Sequence, residues 1–216
     1  MNRIGLLGRF KGRLVHDFLS GYYLFECLHQ LCAAHLLREL IYLEEQMDQP
    51  WAGEMIALLL EAKDLAERER SRSKGTRRVI GERTRRRINV RYAEIVLEGL
   101  ALNPEPPAPP PGTRGRIKRS KALNLLIRLE ERYEEIMGFF EHPGVPFDNN
   151  QAERDLRMMK VREKISGTFR SEDHATAFCD LRAVLSSATK QGRDLIDTIV
   201  ELLRTPHRLG NALARG

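Results

Sequence analysis

Cysteine is scarce in this chain, and long hydrophobic runs are missing. The three cysteines, Cys27, Cys32 and Cys179, are too few and odd in number for a disulfide framework, which favours a reducing compartment. No apolar run reaches the roughly 18 to 20 residues that span a bilayer, and the first residues lack the apolar core of a signal peptide. The sequence therefore predicts a cytoplasmic protein that does not enter a membrane.

Acidic residues are fewer than basic ones, which gives a net charge of +6 and a pI near 9.4. The basic excess is clustered in residues 67–91 and 114–121, where few acids and almost no aromatic residues occur. Such segments favour phosphate contacts with nucleic acid, and that binding weakens steeply with salt. The alternative is a solvated charged face. The candidate DNA contacts in the first segment are Arg77, Arg78, Arg85, Arg86 and Arg87.

Hydrophobic spacing predicts a mainly α fold with a few short β-strands. The runs 13–18 and 27–32 resemble strands, and "SGYY" between them resembles a turn. Apolar residues then recur at helical spacing, with a long stripe over residues 122–140 and a helix that should start at Asp148. In that helix Ala152, Leu156 and Met159 should face inward. Two further helices follow, and residues 103–112 are a proline-rich extended spacer.

Two carboxylates stand at positions that suit chemistry. Asp17 ends the first strand, and α/β enzymes often bind ligands at that edge of a sheet. Glu153 lies on a polar stripe with Asn149, Arg157 and Lys160. Each also has a purely structural interpretation, because Asp17 could begin a loop and Glu153 could pair with Arg157 at low energetic value.

Histidines and cysteines near the second strand offer a weaker metal pattern. Cys27, His29, Cys32 and His35 lie within nine residues, which is compatible with zinc. The change of direction between strand and helix favours buried cysteines and hydrogen-bonded histidines instead. His16 is expected to pack under the sheet or to bond to the backbone.

The motifs taken together resemble one family. "GRLVHDF", "CAAHLLREL", "QPWAGEM" and "GVPFDNNQAERDLRMMKVREKISGTFRS" look like the catalytic domain of DDE-type transposases of insertion sequence 66. The resemblance spans roughly residues 8 to 205. It implies an RNase H-like core in which Asp17 and Glu153 bind two Mg²⁺ or Mn²⁺ ions that act on a DNA phosphate.

The same resemblance implies roles for the residues around Glu153. Asn149 or Asn150 would orient Glu153 or a phosphate, and Arg154, Arg157 and Lys160 would hold the DNA backbone. It also implies a further Asp upstream of Asp17, but none occurs among the sixteen preceding residues. The chain therefore resembles an N-terminally shortened transposase with an incomplete RNase H-like α/β core and a helical insertion.

Five segments follow from this interpretation. They are a remnant of the sheet with its helix (1–50), a basic helical insertion (51–102), the proline-rich spacer (103–112), the helical part that carries "DNNQAER" (113–205) and a tail (206–216). A shortened sheet would expose an edge that favours a homo-oligomer. We expect impaired metal-dependent cleavage and strand transfer on transposon ends and target DNA. The alternatives are a catalytically inactive DNA-binding or oligomerising remnant or regulator, and a helical RNA-binding module.

Overall fold

The computed structural model describes residues 6–72, 80–107 and 118–204. By its internal contacts the chain divides into two units, residues 1–149 and residues 150–216. Each unit is described by itself below.

Two short parallel strands follow helix α1 (Leu6–Arg9) in the first unit. Strand β1 (Arg13–His16) pairs with β2 (Leu28–Leu31), and His16 is opposite Leu31 in the register. Both strands occur where the sequence predicts them. The expected turn between them is a short 3₁₀ helix, Ser20–Leu24. Because parallel strands end at the same edge, the residues after His16 and after Leu31 emerge side by side.

Five helices complete the first unit. They are α2 (Ala33–Met47), α3 (Pro50–Arg72), α4 (Glu82–Leu102), α5 (Lys121–Glu131) and α6 (Tyr133–Glu141). Helix α3 packs against α2, α4 and α6, while α4 packs against α5 and α6 covers β2. The buried core follows the predicted helical spacing, with Leu36, Leu40, Leu43, Met55, Leu59 and Ala62 inside. Helix α3 begins at a proline, which fits the first turn because no N–H is needed there.

The apolar stripe over residues 122–140 is buried as predicted, but it lies on two helices. The break falls at Arg132, whose backbone leaves the helical region and whose N–H still bonds to Arg128 O at 3.0 Å. The carbonyl of Arg132 then accepts from the N–H of Ile136 at 2.9 Å and begins α6. No proline or glycine stands at this break, and the apolar spacing continues across it. The sequence therefore gives no sign that the helix ends here.

The second unit contains α7 (Asn150–Ser166), α8 (Glu172–Lys190) and α9 (Leu195–Arg204). Helix α8 packs against both of the others. Gly167 and Gly192, with φ of +70° and +67°, follow the ends of α7 and α8, where a left-handed residue closes a helix. Among residues 150–204, the part of this unit that the structure describes, only Val184, Ala188 and Thr198 are buried. The second unit therefore has a small internal core.

Helix α7 differs from the prediction in two ways. It begins at Asn150, two residues after the expected start at Asp148. The predicted inward face is wrong, since Leu156 is 58% exposed, Ala152 is exposed and Met159 is half-buried. Asp155 on the polar side bonds to both Ser186 and Lys190 of α8, and of the three predicted residues Met159 contacts Cys179 of α8 at 3.7 Å. The apolar spacing of α7 thus predicts correctly that the segment is a helix, but it does not predict which of its faces is buried.

The expectation of a mainly α fold with a few short strands is confirmed, while the RNase H-like core and the five segments remain predictions. Residues 103–107 form no regular structure, and residues 108–112 and 206–216 of the expected spacer and tail lie outside the described residues. Among the helices that the structure describes, none combines the length and apolarity needed to cross a bilayer.

Two helical glycines give a matched test of packing. A Cβ at Gly99 would lie 2.4 Å from Leu126 Cδ2 and 3.1 Å from the Trp51 ring, whereas the atoms nearest to a Cβ at Gly53 belong to the exposed Glu44 side chain. Both alanine variants gain similar helix propensity. We therefore expect Gly99→Ala to be less stable than Gly53→Ala by about 1 to 3 kcal/mol, the usual range for overpacking. Urea unfolding followed by circular dichroism measures this difference, and equal midpoints would contradict the packing at Gly99.

Candidate functional site

Asp17 lies directly after β1, at the carboxyl edge of the two strands. Its Oδ1 accepts a hydrogen bond from the N–H of Leu19 at 3.1 Å, and the side chain is half-buried. A carboxylate has about four acceptor sites, so one such bond leaves capacity for a ligand. The loop therefore holds the Asp17 side chain in place and leaves carboxylate acceptor sites available for a ligand.

His16 packs beneath this edge. It is buried, its Nδ1 bonds to the carbonyl of Asp17, and its Nε2 lies 3.0 Å from Nδ1 of His29. Burial lowers the pKa of His16, mainly because the charged imidazole would lose its hydration. The expectation that His16 packs under the sheet or bonds to the backbone is confirmed by its bond to the Asp17 carbonyl.

The segment before α7 reaches the same edge of the sheet. Cys32 N–H donates to His16 O at 2.8 Å, Ala33 N–H donates to Phe147 O at 3.0 Å, and Asn149 N–H donates to Cys32 Sγ at 3.4 Å. Asn149 thus lies beside the residue that follows β2, as Asp17 follows β1. The first unit brings the start of the "DNN" motif and Asp17 to one edge.

Phe147 holds this segment. It is buried, its ring lies 4.8 Å from the Phe139 ring in an edge-to-face arrangement, and the Lys63 ammonium lies 5.3 Å from its centroid. Aromatic pairs in this geometry add to the burial of their surface. The backbone of 147–149 is therefore fixed by packing as well as by hydrogen bonds.

Sequence reasoning missed a polar cluster behind the loop of Asp17. Tyr23 O–H donates to Glu135, Arg132 Nη1 donates to Glu135 at 2.9 Å, and the Arg132 guanidinium lies 4.3 Å from the Tyr23 ring centroid. Burial, followed by the bond to Glu135, raises the pKa of Tyr23. Tyr23 is 112 residues from Glu135 in the chain, so no local pattern could have revealed their bond.

The remaining motif residues lie in the second unit. Asn150 begins α7, and Glu153 lies half-buried in its first turn. Arg154 is exposed and donates to Gln151 Oε1 at 3.2 Å. Two further cations, Arg157 and Lys160, are exposed on the same helix. One face of α7 therefore combines a carboxylate with accessible cations, as the sequence predicts.

The two predicted metal ligands belong to different units, Asp17 to the first and Glu153 to the second. Carboxylate oxygens are hard donors that suit Mg²⁺ or Mn²⁺. The number of donors is small, because no group of three His, Cys, Asp or Glu side chains able to hold a metal occurs among residues 6–72, 80–107 and 118–204. Cys27, His29, Cys32 and His35 are among the described residues and do not form such a group.

The basic segment is partly neutralised by its neighbours. Arg87 pairs with Glu61 on α3 at 2.5 Å, and Arg85 lies 3.4 Å from Glu141 on α6. Arg86 is exposed and forms no ion pair with any residue in the described part of the chain. The predicted contacts Arg77 and Arg78 lie outside the described residues. Arg85 and Arg87, which have few acids near them in the sequence, are thus paired with acids from other helices.

The model of the IS66 family of transposases matches residues 3–177 of the chain. The chain belongs to this family. The match includes Asp17 and the whole "FDNNQAERD" motif and ends within α8 of this IS66-family protein. Membership in a transposase family implies binding to DNA. Comparisons with curated proteins and with solved structures gave no match.

The link between α7 and α8 should depend on pH through Asp155. Lys190 and Ser186 hold its pKa below the ordinary value of 3.8. A lowered pKa in the folded state stabilises the protein above the unfolded pKa, and that stability is lost as the pH falls through the folded pKa. We expect Asp155→Asn to cost about 1 kcal/mol at pH 6 and less at pH 3.

The measurement is urea unfolding followed by helical circular dichroism at both pH values. Asp180→Asn is the matched control, because Asp180 is exposed on α8 and makes no hydrogen bond or ion pair with a described residue. It should change stability little at either pH. A loss in Asp155→Asn that is the same at pH 6 and pH 3 would count against the charge of Asp155 as the cause.

Proposed function

We propose that this chain is the catalytic part of a transposase that cuts the ends of an insertion sequence and joins them to target DNA. The observation that carries the proposal is the arrangement at the carboxyl edge of β1 and β2. Asp17 follows β1 there, and Asn149 donates its N–H to Cys32, which follows β2. Glu153 comes only four residues after Asn149 along the chain. The start of the motif therefore lies at the sheet edge, and Glu153 follows it along the chain.

Asp17 and Glu153 would hold Mg²⁺ or Mn²⁺ in this proposal. Divalent ions bound to carboxylates activate a water or 3′-hydroxyl and stabilise the leaving oxygen at phosphorus. The residue types fit this role because carboxylate oxygens are the ligands that these ions prefer.

The neighbours of Glu153 would position the DNA. Asn149 and Asn150 carry amides that can orient either the Glu153 carboxylate or a phosphate oxygen. Arg154, Arg157 and Lys160 are exposed cations on α7 and would bind backbone phosphates. In the first unit Arg86 supplies an uncompensated cation on α4, and we propose that Arg77, Arg78, Arg85 and Arg87 extend this contact.

Two carboxylates hold a pair of ions less tightly than three, so we propose that this polypeptide by itself is impaired in strand transfer. A second candidate function is a catalytically inactive DNA-binding or oligomerising regulator. What favours it is the lack of a three-ligand group in the parts of the chain that the structure describes. Both candidates share DNA binding and association into a homo-oligomer, and they differ in the need for Glu153.

Glu153→Gln tests the catalytic proposal. The amide keeps the size of the side chain but removes the charge that a divalent ion requires, so strand transfer should fall by about 100-fold or more. The assay measures joining of transposon-end DNA to a target in Mn²⁺ and in Mg²⁺. Glu163→Gln is the matched control, because it removes one exposed acid from the same helix.

Three results are distinguishable in this assay. Loss in Glu153→Gln with activity kept in Glu163→Gln supports the catalytic proposal. Equal activity in Glu153→Gln and in the unaltered chain would refute it. No joining by any variant, with DNA binding intact, would favour the regulator.

Arg86 and Arg87 are adjacent cations with different surroundings. Arg86 is exposed, whereas Arg87 must break its pair with Glu61 to reach a phosphate. We expect Arg86→Gln to weaken duplex binding and to reduce the slope of log K against log salt by about one phosphate contact. Arg87→Gln should have a smaller effect. Fluorescence anisotropy over a salt series measures both, and a larger effect for Arg87→Gln would show that the ion pair does not shield it.

A further inference from the structure

A groove between α2 and α5 combines cations with an exposed aromatic ring. Its volume is about 460 Å³, and its walls include Arg38, Tyr42, Lys121, Asn124 and Arg128. A space of this size accommodates a small organic ligand or one nucleotide. All of these residues belong to the first unit, and none of them is in the segments predicted from local charge except Lys121.

Tyr42 is the ring in this groove and is 43% exposed. The Lys121 ammonium lies 4.5 Å from the ring centroid and 3.4 Å from the hydroxyl. A base that stacked on Tyr42 would displace this ammonium to the side, where it could meet the phosphate of the same nucleotide. Tyr42 therefore offers a surface for the base, and Lys121 offers a charge for the phosphate of the same nucleotide.

The charge of the groove is positive. Arg128 is compensated by Glu39 at 2.5 Å, while Arg38 and Lys121 form no ion pair with a residue in the described ranges. Three cations thus face one acid. The side-chain amide of Asn124 adds a donor and an acceptor in the same wall, which suit the edge of a base.

A second depression of about 360 Å³ continues the groove toward β1. It shares Asn124 and Arg128 with the first and adds Phe18 and Tyr23. The Arg128 guanidinium lies 4.1 Å from the Phe18 ring centroid, so the alternation of ring and cation repeats there. Phe18 follows Asp17 directly. The path therefore leads from Tyr42 to the loop of the candidate catalytic carboxylate.

We propose that the α2–α5 groove binds an unpaired stretch of DNA and leads it to Asp17. Stacking of bases on aromatic rings between cations is how proteins hold single strands, whereas paired bases in a duplex do not present their faces. The inference deepens the proposed function, and it rests on that function for the role of Asp17. In this proposal a transposon end whose strands have separated binds in the groove as a single strand.

Binding of fluorescein-labelled oligo-dT to the full chain tests the groove by anisotropy. Tyr42→Ala should weaken binding by roughly 5- to 100-fold, the effect of losing one stacked base. Tyr42→Phe keeps the ring and should remain within about twofold of the unaltered chain. Lys121→Gln should reduce the salt slope by about 0.7, the value for one phosphate on a single strand.

Matched controls separate this site from others. Ile41→Ala changes the neighbouring exposed residue on α2 and should leave binding unchanged. Duplex DNA of the same length should bind Tyr42→Ala as it binds the unaltered chain. Circular dichroism should show that the Tyr42 and Ile41 variants are folded, because both side chains are exposed.

Several outcomes would overturn the proposal. They are unchanged oligo-dT binding in Tyr42→Ala, an equal loss of duplex binding, tighter binding of oligo-rU than of oligo-dT, or displacement of oligo-dT by polyglutamate at equal charge concentration. Failure of the proposed function is separate from these. A chain that binds oligo-dT through Tyr42 but joins no DNA ends keeps the groove and loses the catalytic assignment.

Discussion

A sheet of two strands is too small to be stable alone, and this one depends on α6. Gln30 is fully buried beneath the helix, and its Nε2 donates to Leu31 O at 3.1 Å and to Ile136 O at 3.2 Å. Gly138 leaves the room for this contact, because a Cβ there would collide with Gln30 Oε1. The close approach of α6 to β2 fixes the strands, and the strands fix the edge where Asp17 emerges.

The same packing explains how the motif segment is placed. Phe139 on α6 packs against Phe147, and the carbonyl of Phe147 accepts from Ala33 at the start of α2. One helix thus supports both the strand pair and the segment that approaches its edge. Asp17 and Asn149 come from positions 132 residues apart in the chain, yet they are held by one set of contacts.

Elements with a regular hydrophobic period were predictable from the sequence, and so was the family, from its compound motif. The strands at Arg13 and Leu28 and the helices with Leu36 and Val184 are examples of such elements. The roles of the motif residues stay predictions. The break at Arg132 was not predictable, because it leaves the apolar spacing intact. Partners distant in sequence were also hidden: the ion pair of Arg87 with Glu61 and the bond of Tyr23 to Glu135 depend on packing that no local pattern encodes.

Aromatic residues make up only 6% of the chain, and the sequence alone therefore disfavoured base stacking. The fold alters that expectation by gathering Phe18, Tyr23 and Tyr42 along two adjoining depressions. Local charge, in turn, does not reveal the partners of these cations, since Arg85 pairs with Glu141 on α6 and Arg87 with Glu61 on α3. Composition gives the number of residues of each type, whereas packing determines which side chains contact one another.

The boundary between the two units falls inside the motif, between Asn149 and Asn150. The internal packing of the first unit fixes Asp17, while Glu153 is placed by the helices of the second. A core substitution in one unit therefore leaves the internal packing around the other carboxylate unchanged, so the two positions can be altered one at a time.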